Sequence, residues 1–363
     1  MKNEIIAAFA AVCTICGASA VSADELVYGS YLAPTHSSSK GITHFIDRAR
    51  ELSGGEINFE FFPSGAIASG KTTLSAISDG LMDGGMIVNI YFPSEMPVNT
   101  VLSDMSFWDK DNRVISAAIT DTIVNDCEDC LNEFDQLGVH FLATYGTPPY
   151  QAMCSSDAEN FTLQGKRVRV AGEDMGRWAQ SIGAIPVNIP NNESYEAMER
   201  NQIDCVIGAV AWLKGLSLSE VTNTILELPM GSFQGGSLLN VSNNVWEGLS
   251  PENQSALEQS ALEGVARTVY AYIQQEEDAR EIAAEKGIAS VQPDEALIAK
   301  RQVFQELQVT QAAETAASRG YDGGANVVQA LIANIEKWEE IIAREDPDEG
   351  RYVELLRNVW ADK

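Results

Sequence analysis

Leu163-Gln-Gly-Lys-Arg-Val-Arg-Val-Ala-Gly172 places Arg169 inside a short apolar run, between Val168 and Val170. The run has the length and composition of a buried strand, with a glycine at its far end. A guanidinium stays charged at ordinary pH, and its rigid fork of donors matches a carboxylate. An arginine held in an apolar strand therefore needs an anion. The anion is either an internal Asp or Glu or a bound ligand, unless the strand is an edge with a solvated face.

The segments that follow continue an α/β rhythm. Helix is expected over Met175–Ile182, strand over Pro186–Ile189, helix over Ser194–Arg200 with Ser194 or Asn192 as cap, and strand over Ile203–Ile207. The same rhythm opens the chain. Leu26–Leu32 reads as a strand, and Pro34-Thr-His-Ser-Ser-Ser39 supplies serine caps for a helix whose apolar face is Ile42, Phe45, Ile46, Ala49 and Leu52. Strands at Ile57–Phe62 and Met86–Val88 then flank a helix near Leu74–Leu81. Alternating strands and helices imply parallel sheets. Two such units predict two lobes with a cleft, the place where ligand pockets concentrate.

Between the units lie a loop-rich stretch from Tyr91 to Asp111, a helix expected over Asn112–Leu137, and a strand at Val139–Ala143. Thr147-Pro-Pro-Tyr150 marks a crossing between lobes, because two prolines enforce extended backbone. After a strand at Leu238–Val241, Ser250-Pro251 starts a helix that runs to Lys286 and stops at Gly287. At 1.5 Å per residue it spans about 54 Å, enough to brace both lobes. Apolar stripes at Ile335, Trp338 and Ile342, and at Val353, Leu356, Val359 and Trp360, predict C-terminal helices packed on the core, with dimerisation as the second role. The expected division is lobe I at 24–146 plus about 234–274, lobe II at 147–233 plus about 275–328, and a C-terminal helical extension at 329–363.

Residues 1–23 read as a secretory signal. Lys2 starts it, an apolar run follows from Ile5 to Ala20, and Val21-Ser22-Ala23 supplies the cleavage site. The run is too short for a membrane span, and no later stretch approaches one, so stable membrane insertion is not expected. The 363 residues allow two domains, and 45% hydrophobic with 21% charged content is ordinary for a globular protein. A net charge of −28 disfavours nucleic acid and anionic membrane surfaces.

Past the signal, four cysteines remain, and an exported protein is expected to oxidise them. Of three possible connectivities, Cys127–Cys130 is local and Cys154–Cys205 joins two expected strands of one lobe. A redox role for Cys127-Glu-Asp-Cys130 is the rival reading. Its acidic interior would raise a thiol pKa where reactivity needs it lowered. Residues 65–72, Gly-Ala-Ile-Ala-Ser-Gly-Lys-Thr, match the phosphate-loop pattern letter for letter and imply nucleotide binding as a second alternative. The export signal and the lack of an apolar strand ending in a magnesium-binding Asp oppose it. Only His36, His44 and His140 are available as histidines, and neither HExxH nor GxSxG occurs in the mature chain. Catalysis lacks parts, and neither cofactor nor metal is expected.

The order of motifs resembles the substrate-binding proteins of tripartite ATP-independent periplasmic (TRAP) transporters, of the DctP type. The resemblance rests on Leu52-Ser-Gly-Gly-Glu-Ile-Asn-Phe-Glu-Phe-Phe-Pro-Ser-Gly65, Gly80-Leu-Met-Asp83, Leu163 to Arg169, Tyr195 to Asp204, and Trp246-Glu-Gly-Leu-Ser-Pro-Glu252. It covers nearly all of the mature chain. It implies a two-lobed, periplasmic-binding-protein-like α/β fold that closes on a small organic acid. The acid would pass to a TRAP membrane permease driven by an ion gradient. It also implies that Arg169 holds the ligand carboxylate. Two positions depart from the family pattern. Gly208 stands where many members have asparagine, and Pro148, Pro149 and Tyr150 stand where many have a second polar or basic residue. A monocarboxylate with an apolar or aromatic part is then as suitable as a four-carbon diacid. Tyr150, Asn89, Tyr91, His36, Trp212 and Phe233 are the other candidates for the cleft wall.

Overall fold

The computed structural model describes residues 25–361, so the signal segment lies outside the described residues. In the first lobe β1 (Leu26–Gly29) is central, flanked in parallel by β2 (Phe59–Phe62) and β3 (Gly84–Gly85). Between them run α1 (Ser37–Leu52) and α2 (Thr73–Ser78). The chain continues through α3 (Pro97–Asp104), α4 (Asn112–Asp121) and α5 (Glu128–Gln136) to β4 (Val139–Ala143). β4 pairs antiparallel with β10 (Leu239–Ser242), which returns from the far side of the molecule. Backbone hydrogen bonds between Ile87 and Ser237, and from Ser242 N–H to Asp83 C=O, join this pair to β3.

The helix expected over 112–137 is interrupted. A π-helical turn at Thr122–Asp126 and extended backbone at Cys127 separate α4 from α5, and Cys127 caps α5 through its sulfur. Cys130 bonds back to it, with the S–S bond buried in the core. A π turn admits one extra residue per turn and breaks the regular ladder, which periodicity alone does not reveal.

The second lobe holds a six-stranded sheet built from β5 (Gln151–Cys154), β6 (Arg167–Val170), β7 (Ile185–Asn188), β8 (Cys205–Gly208), β9 (Thr224–Leu226) and β11 (Ala289–Val291), in the order β11-β9-β5-β8-β6-β7. β6 is an interior strand, parallel to β7 and β8, so Arg169 does not sit on a solvated edge. Cys154 and Cys205 face each other across the β5–β8 ladder and form the second disulfide. Helices α6 (Gly172–Ser181), α7 (Ser194–Glu199) and α8 (Trp212–Gly215) connect these strands.

Two antiparallel crossing segments join the lobes. Thr147 N–H donates to Phe233 C=O, Tyr150 N–H to Gly231 C=O, and Met230 N–H to Tyr150 C=O. After α9 (Asn243–Gly248) comes α10 (Pro251–Lys286), a continuous 36-residue helix. The Ser250 hydroxyl accepts from Asn253 N–H, and proline occupies its first turn, as the sequence predicts. Its first half packs on α1, and its second half reaches lobe II, where Arg280 pairs with Glu227 and hydrogen-bonds Gln151.

Helices α11 (Glu295–Ser318), α12 (Gly324–Glu345) and α13 (Glu349–Ala361) complete the chain. Ile335, Trp338, Ile342, Leu356 and Val359 are buried within this chain, against elements that include α4 and α10. The Trp338 indole N–H donates to Asp121 at 2.8 Å. No helix of the described residues is long and apolar enough to cross a membrane.

Candidate ligand-binding site

In open α/β sheets ligands bind beyond the carboxyl ends of the strands. That is where the cleft residues lie here. Tyr31 follows β1, Val88 and Tyr91 follow β3, and Tyr145 follows β4. Ala171 follows β6, Asn191 follows β7 and Trp212 follows β8, while Tyr150 and Phe233 come from the two crossing segments. Together with Arg169 and Ile90 they enclose a cavity of about 20 Å³. This is room for little more than one water, so an organic acid fits only if the lining residues move apart.

Arg169 is 1% exposed. Its Nε–H donates to Ile189 C=O at 3.0 Å and one terminal N–H to Ile207 C=O at 3.3 Å. The guanidinium carbon lies 5.4 Å from the Trp212 ring centroid, within cation–π range. Among the described residues Arg169 forms no ion pair with a carboxylate. Its neighbour in the same strand shows the contrast. Arg167, at the strand's outer end, pairs bidentately with Asp204 through bonds of 2.7 and 3.1 Å. The internal-partner reading thus applies to Arg167 and not to Arg169.

The wall around Arg169 is aromatic. Tyr150 and Trp212 rings are 5.2 Å apart, Tyr145 and Phe233 5.6 Å, and Tyr31 and Tyr91 6.3 Å. Burial raises the pKa of Tyr91 and Tyr150, and the nearby Arg169 charge works against that rise; both phenols stay protonated and can donate hydrogen bonds. Among the described residues the Asn191 Oδ1 is buried without a hydrogen-bond partner.

Of the residues selected from sequence, Arg169, Tyr150, Tyr91, Trp212 and Phe233 converge on the cavity. Asn89 is not among its lining residues. Its amide N–H donates to Asn99 C=O, and its Oδ1 accepts from Ser103 Oγ and Ile90 N–H. His36 also stands behind the wall, as the N-cap of α1, accepting from Ser38 N–H through Nδ1. Burial lowers its pKa to about 3, so it is neutral. Tyr31, Tyr145 and Asn191 escaped the sequence reading. The available signal was their position just past a strand's carboxyl end.

Gly208 gains a physical reason. A Cβ there would lie 2.2 Å from Trp212 Cζ3, so the indole occupies the space a side chain would need. At the cleft mouth, Gly172 packs on Ile90 of the other lobe, with φ +81° and a Cβ position 3.2 Å from Ile90 Cγ2. Outside this contact is an open recess of about 460 Å³ that includes Arg177, Asn188 and Arg319. Buried next to the recess, the Asp174 carboxylate accepts from Ser106 Oγ at 2.8 Å, and Arg319 on the lining bridges Asp104 and Glu173 at 2.7 and 2.8 Å.

The phosphate-loop match has no such setting. β2, which precedes it, is an edge strand, the following α2 has six residues, Lys71 is exposed, and the Thr72 hydroxyl is engaged by Ser69. The cysteines of the CxxC stretch are oxidised and buried.

Fold and cleft define a two-lobed solute-binding protein. The chain belongs to the bacterial extracellular solute-binding protein family 7 (DctP), whose model matches residues 28–316. Among curated proteins it is 23% identical over 307 residues, 83% of this chain and 88% of the other, to an outer membrane transporter protein, TsaT, of Comamonas testosteroni. Many solved structures share its fold, two of them with bound aromatic acids as follows. One is a TRAP periplasmic solute-binding protein of Bordetella bronchiseptica with bound (R)- and (S)-mandelate. It is 22% identical, with TM-score 0.74, covering 86% of this chain and 99% of that one. The other is a TRAP solute-binding protein of Rhodoferax ferrireducens with copurified benzoate. It is 17% identical, with TM-score 0.76, covering 87% and 99%.

Proposed function

We propose that this protein is a periplasmic receptor that closes on a small monocarboxylic acid with an aromatic part and delivers it to a TRAP permease. The observation that carries the reading is Arg169, a fully buried guanidinium in an interlobe cavity, without a carboxylate partner among the described residues. Desolvated charge is costly unless paired, so the arginine is matched by an anion that arrives from outside. Its fork gives a carboxylate a directional, charge-assisted contact. Among the described residues lining the cavity no second cation occurs, so a second carboxylate would be unmatched. The rings of Tyr31, Tyr91, Tyr145, Tyr150, Trp212 and Phe233 suit a planar apolar body. The mandelate and benzoate held by the two structural relatives support the same class.

The cycle is hinged. The lobes, at 24–146 with about 234–274 and at 147–233 with about 275–328, part at the crossing segments to admit the acid. Closure seats Ile90 on Gly172. Ligand favours the closed state only through its tighter binding there, and the permease reads that state. The reaction is binding without turnover. The signal segment directs export and is cleaved after about Ala23. Calorimetry of the mature protein against benzoate, mandelate and succinate tests the reading. Stoichiometric binding of an aromatic monoacid, weakened by Arg169→Ala, is expected; binding that survives the substitution removes Arg169 from the site.

A further inference from the structure

Helix α11 runs across the boundary between the lobes. Near its start, Arg301 Nε–H donates to Pro229 C=O, next to a crossing segment, at 2.8 Å. One turn on, Phe304 packs against Phe107 of lobe I and Trp178 of lobe II, with ring centroids 4.7 and 5.5 Å away, and all three rings are buried. Arg319 caps the helix about 27 Å beyond Arg301, at 1.5 Å per residue. It lines the recess at the cleft mouth, together with Ile90 of one lobe and Gly172 of the other. There its guanidinium forks. One arm reaches Asp104 at the end of α3, in lobe I, at 2.7 Å. The other reaches Glu173 in the first turn of α6, in lobe II, at 2.8 Å.

A cation that bridges two bodies cannot keep both bonds when they part. Burial decides which bond gives. The Asp104 side chain is 2% exposed, and without Arg319 it would be an uncompensated buried charge. Glu173 is 59% exposed and regains water at little cost. The chain after Arg319 is also tied to lobe I, where the Tyr321 hydroxyl donates to Asp129 at 2.9 Å and α12 packs on α3 and α4. Arg319 therefore goes with Asp104, and the bond to Glu173 is the one that opens. Arg319 lies past residue 316, where the family match ends, so this bond is made by the chain's own C-terminal part.

We infer that Arg319 and Glu173 form a clasp across the cleft mouth that slows release of the bound acid without touching it. This inference rests on the receptor reading of the same cleft. The residues around Arg169 enclose their cavity, so a bound acid leaves only when the lobes part. A bond that is lost on parting raises the closed fraction, and with it the apparent affinity. Glu173 also pairs with Arg177 in its own helix at 3.2 Å, which is the rival, purely local role.

The test is stopped-flow release of the tightest of benzoate, mandelate and succinate from the mature protein, with calorimetry alongside. Glu173 is on the surface, so its variants disturb no core. Glu173→Gln is expected to quicken release about two- to fivefold and to weaken affinity by the same factor, the range of an exposed ion pair. Glu173→Lys sets like charges face to face and is expected to quicken release further. Arg319→Lys keeps a cation beside Asp104 but loses the fork that spans two carboxylates. It is expected to act as Glu173→Gln does, and the double variant to release within about twofold of the quicker single one. Raising salt from about 20 to about 500 mM is expected to quicken release more from the natural protein than from Glu173→Gln, because a partly exposed pair is screened. Release unchanged in both Glu173 variants overturns the inference and leaves the receptor reading standing. Release quickened by Glu173→Gln but not by Arg319→Lys does the same and assigns the effect to Arg177. Effects that multiply in the double variant overturn the clasp as well. If none of the three acids binds, both readings fall.

Discussion

Replacing Arg169 by methionine separates two roles that a buried arginine can have. Methionine fills a similar apolar volume without charge. In the unliganded protein the change removes two hydrogen bonds, to Ile189 C=O and Ile207 C=O, and the contact with Trp212. Leaving those carbonyls without a donor costs about 1–3 kcal/mol each. Replacing buried ionic groups by packed apolar ones returns about 1–4 kcal/mol. The terms nearly cancel, so the unliganded melting midpoint is expected to stay within about 5 °C of the natural protein, at roughly 2–4 °C per kcal/mol. Ligand affinity behaves differently. Removing one partner of a desolvated charge pair costs about 2–5 kcal/mol, or roughly 30- to 4000-fold in Kd. The assay is thermal shift with and without an aromatic monoacid, followed by calorimetry. Loss of the ligand-induced shift with little change in the unliganded midpoint is the expected pair of results. An unliganded protein destabilised by more than about 4 kcal/mol would mean that Arg169 holds an internal anion, the role its neighbour Arg167 plays. Affinity preserved within threefold would refute the anchor outright.

Asp174 is buried, and that burial raises its carboxyl pKa to about 7 despite Arg177 and Ser106. An unfolded aspartate loses its proton near 4, so between about pH 4 and 7 the folded form binds more protons and stability falls as pH rises, by on the order of 4 kcal/mol. Asp174→Asn is expected to flatten the fall of the melting midpoint between pH 5 and 8; parallel curves for variant and natural protein would contradict this. The Cys154–Cys205 bond closes a sequence separation of 51 and Cys127–Cys130 one of 3. Loop-closure entropy then assigns about 4 and about 2 kcal/mol, so urea unfolding of the two double-alanine variants should show the larger loss for Cys154/Cys205. Gly208→Ala drives a Cβ into the buried Trp212 ring. It is expected to cost about 1–3 kcal/mol of stability and to weaken ligand binding, and unchanged values in both assays would show that the indole is free to move.

Much of the architecture is legible from neighbouring residues. The strand around Arg169, the apolar face from Ile42 to Ala49, and the helix from Pro251 to Lys286 with its serine cap follow from periodicity and capping. These are interactions among residues a few positions apart. The family motifs add the two-lobed arrangement and point to Arg169. Periodicity did not show the break at Thr122–Asp126, because a π turn leaves the pattern of apolar residues almost intact.

The cleft itself was only partly readable. Sequence supplied the charge that needs an anion and four residues that converge on it. It could not show that Arg167 takes Asp204 while Arg169 takes no carboxylate among the described residues, since which arginine faces which acid depends on strand neighbours far apart in the chain. Nor could it show that Asn89 holds a loop, that Tyr31, Tyr145 and Asn191 complete the wall, or that Gly208 is small because Trp212 fills its space. By itself the sequence determined the elements, their order and the presence of a strongly polar anchor, because those depend on local backbone preference and side-chain chemistry. Only the tertiary structure decided which rings surround the anchor and which polar groups stay unpartnered. Those outcomes depend on packing between the two lobes, where residues more than a hundred positions apart compete for the same few ångströms.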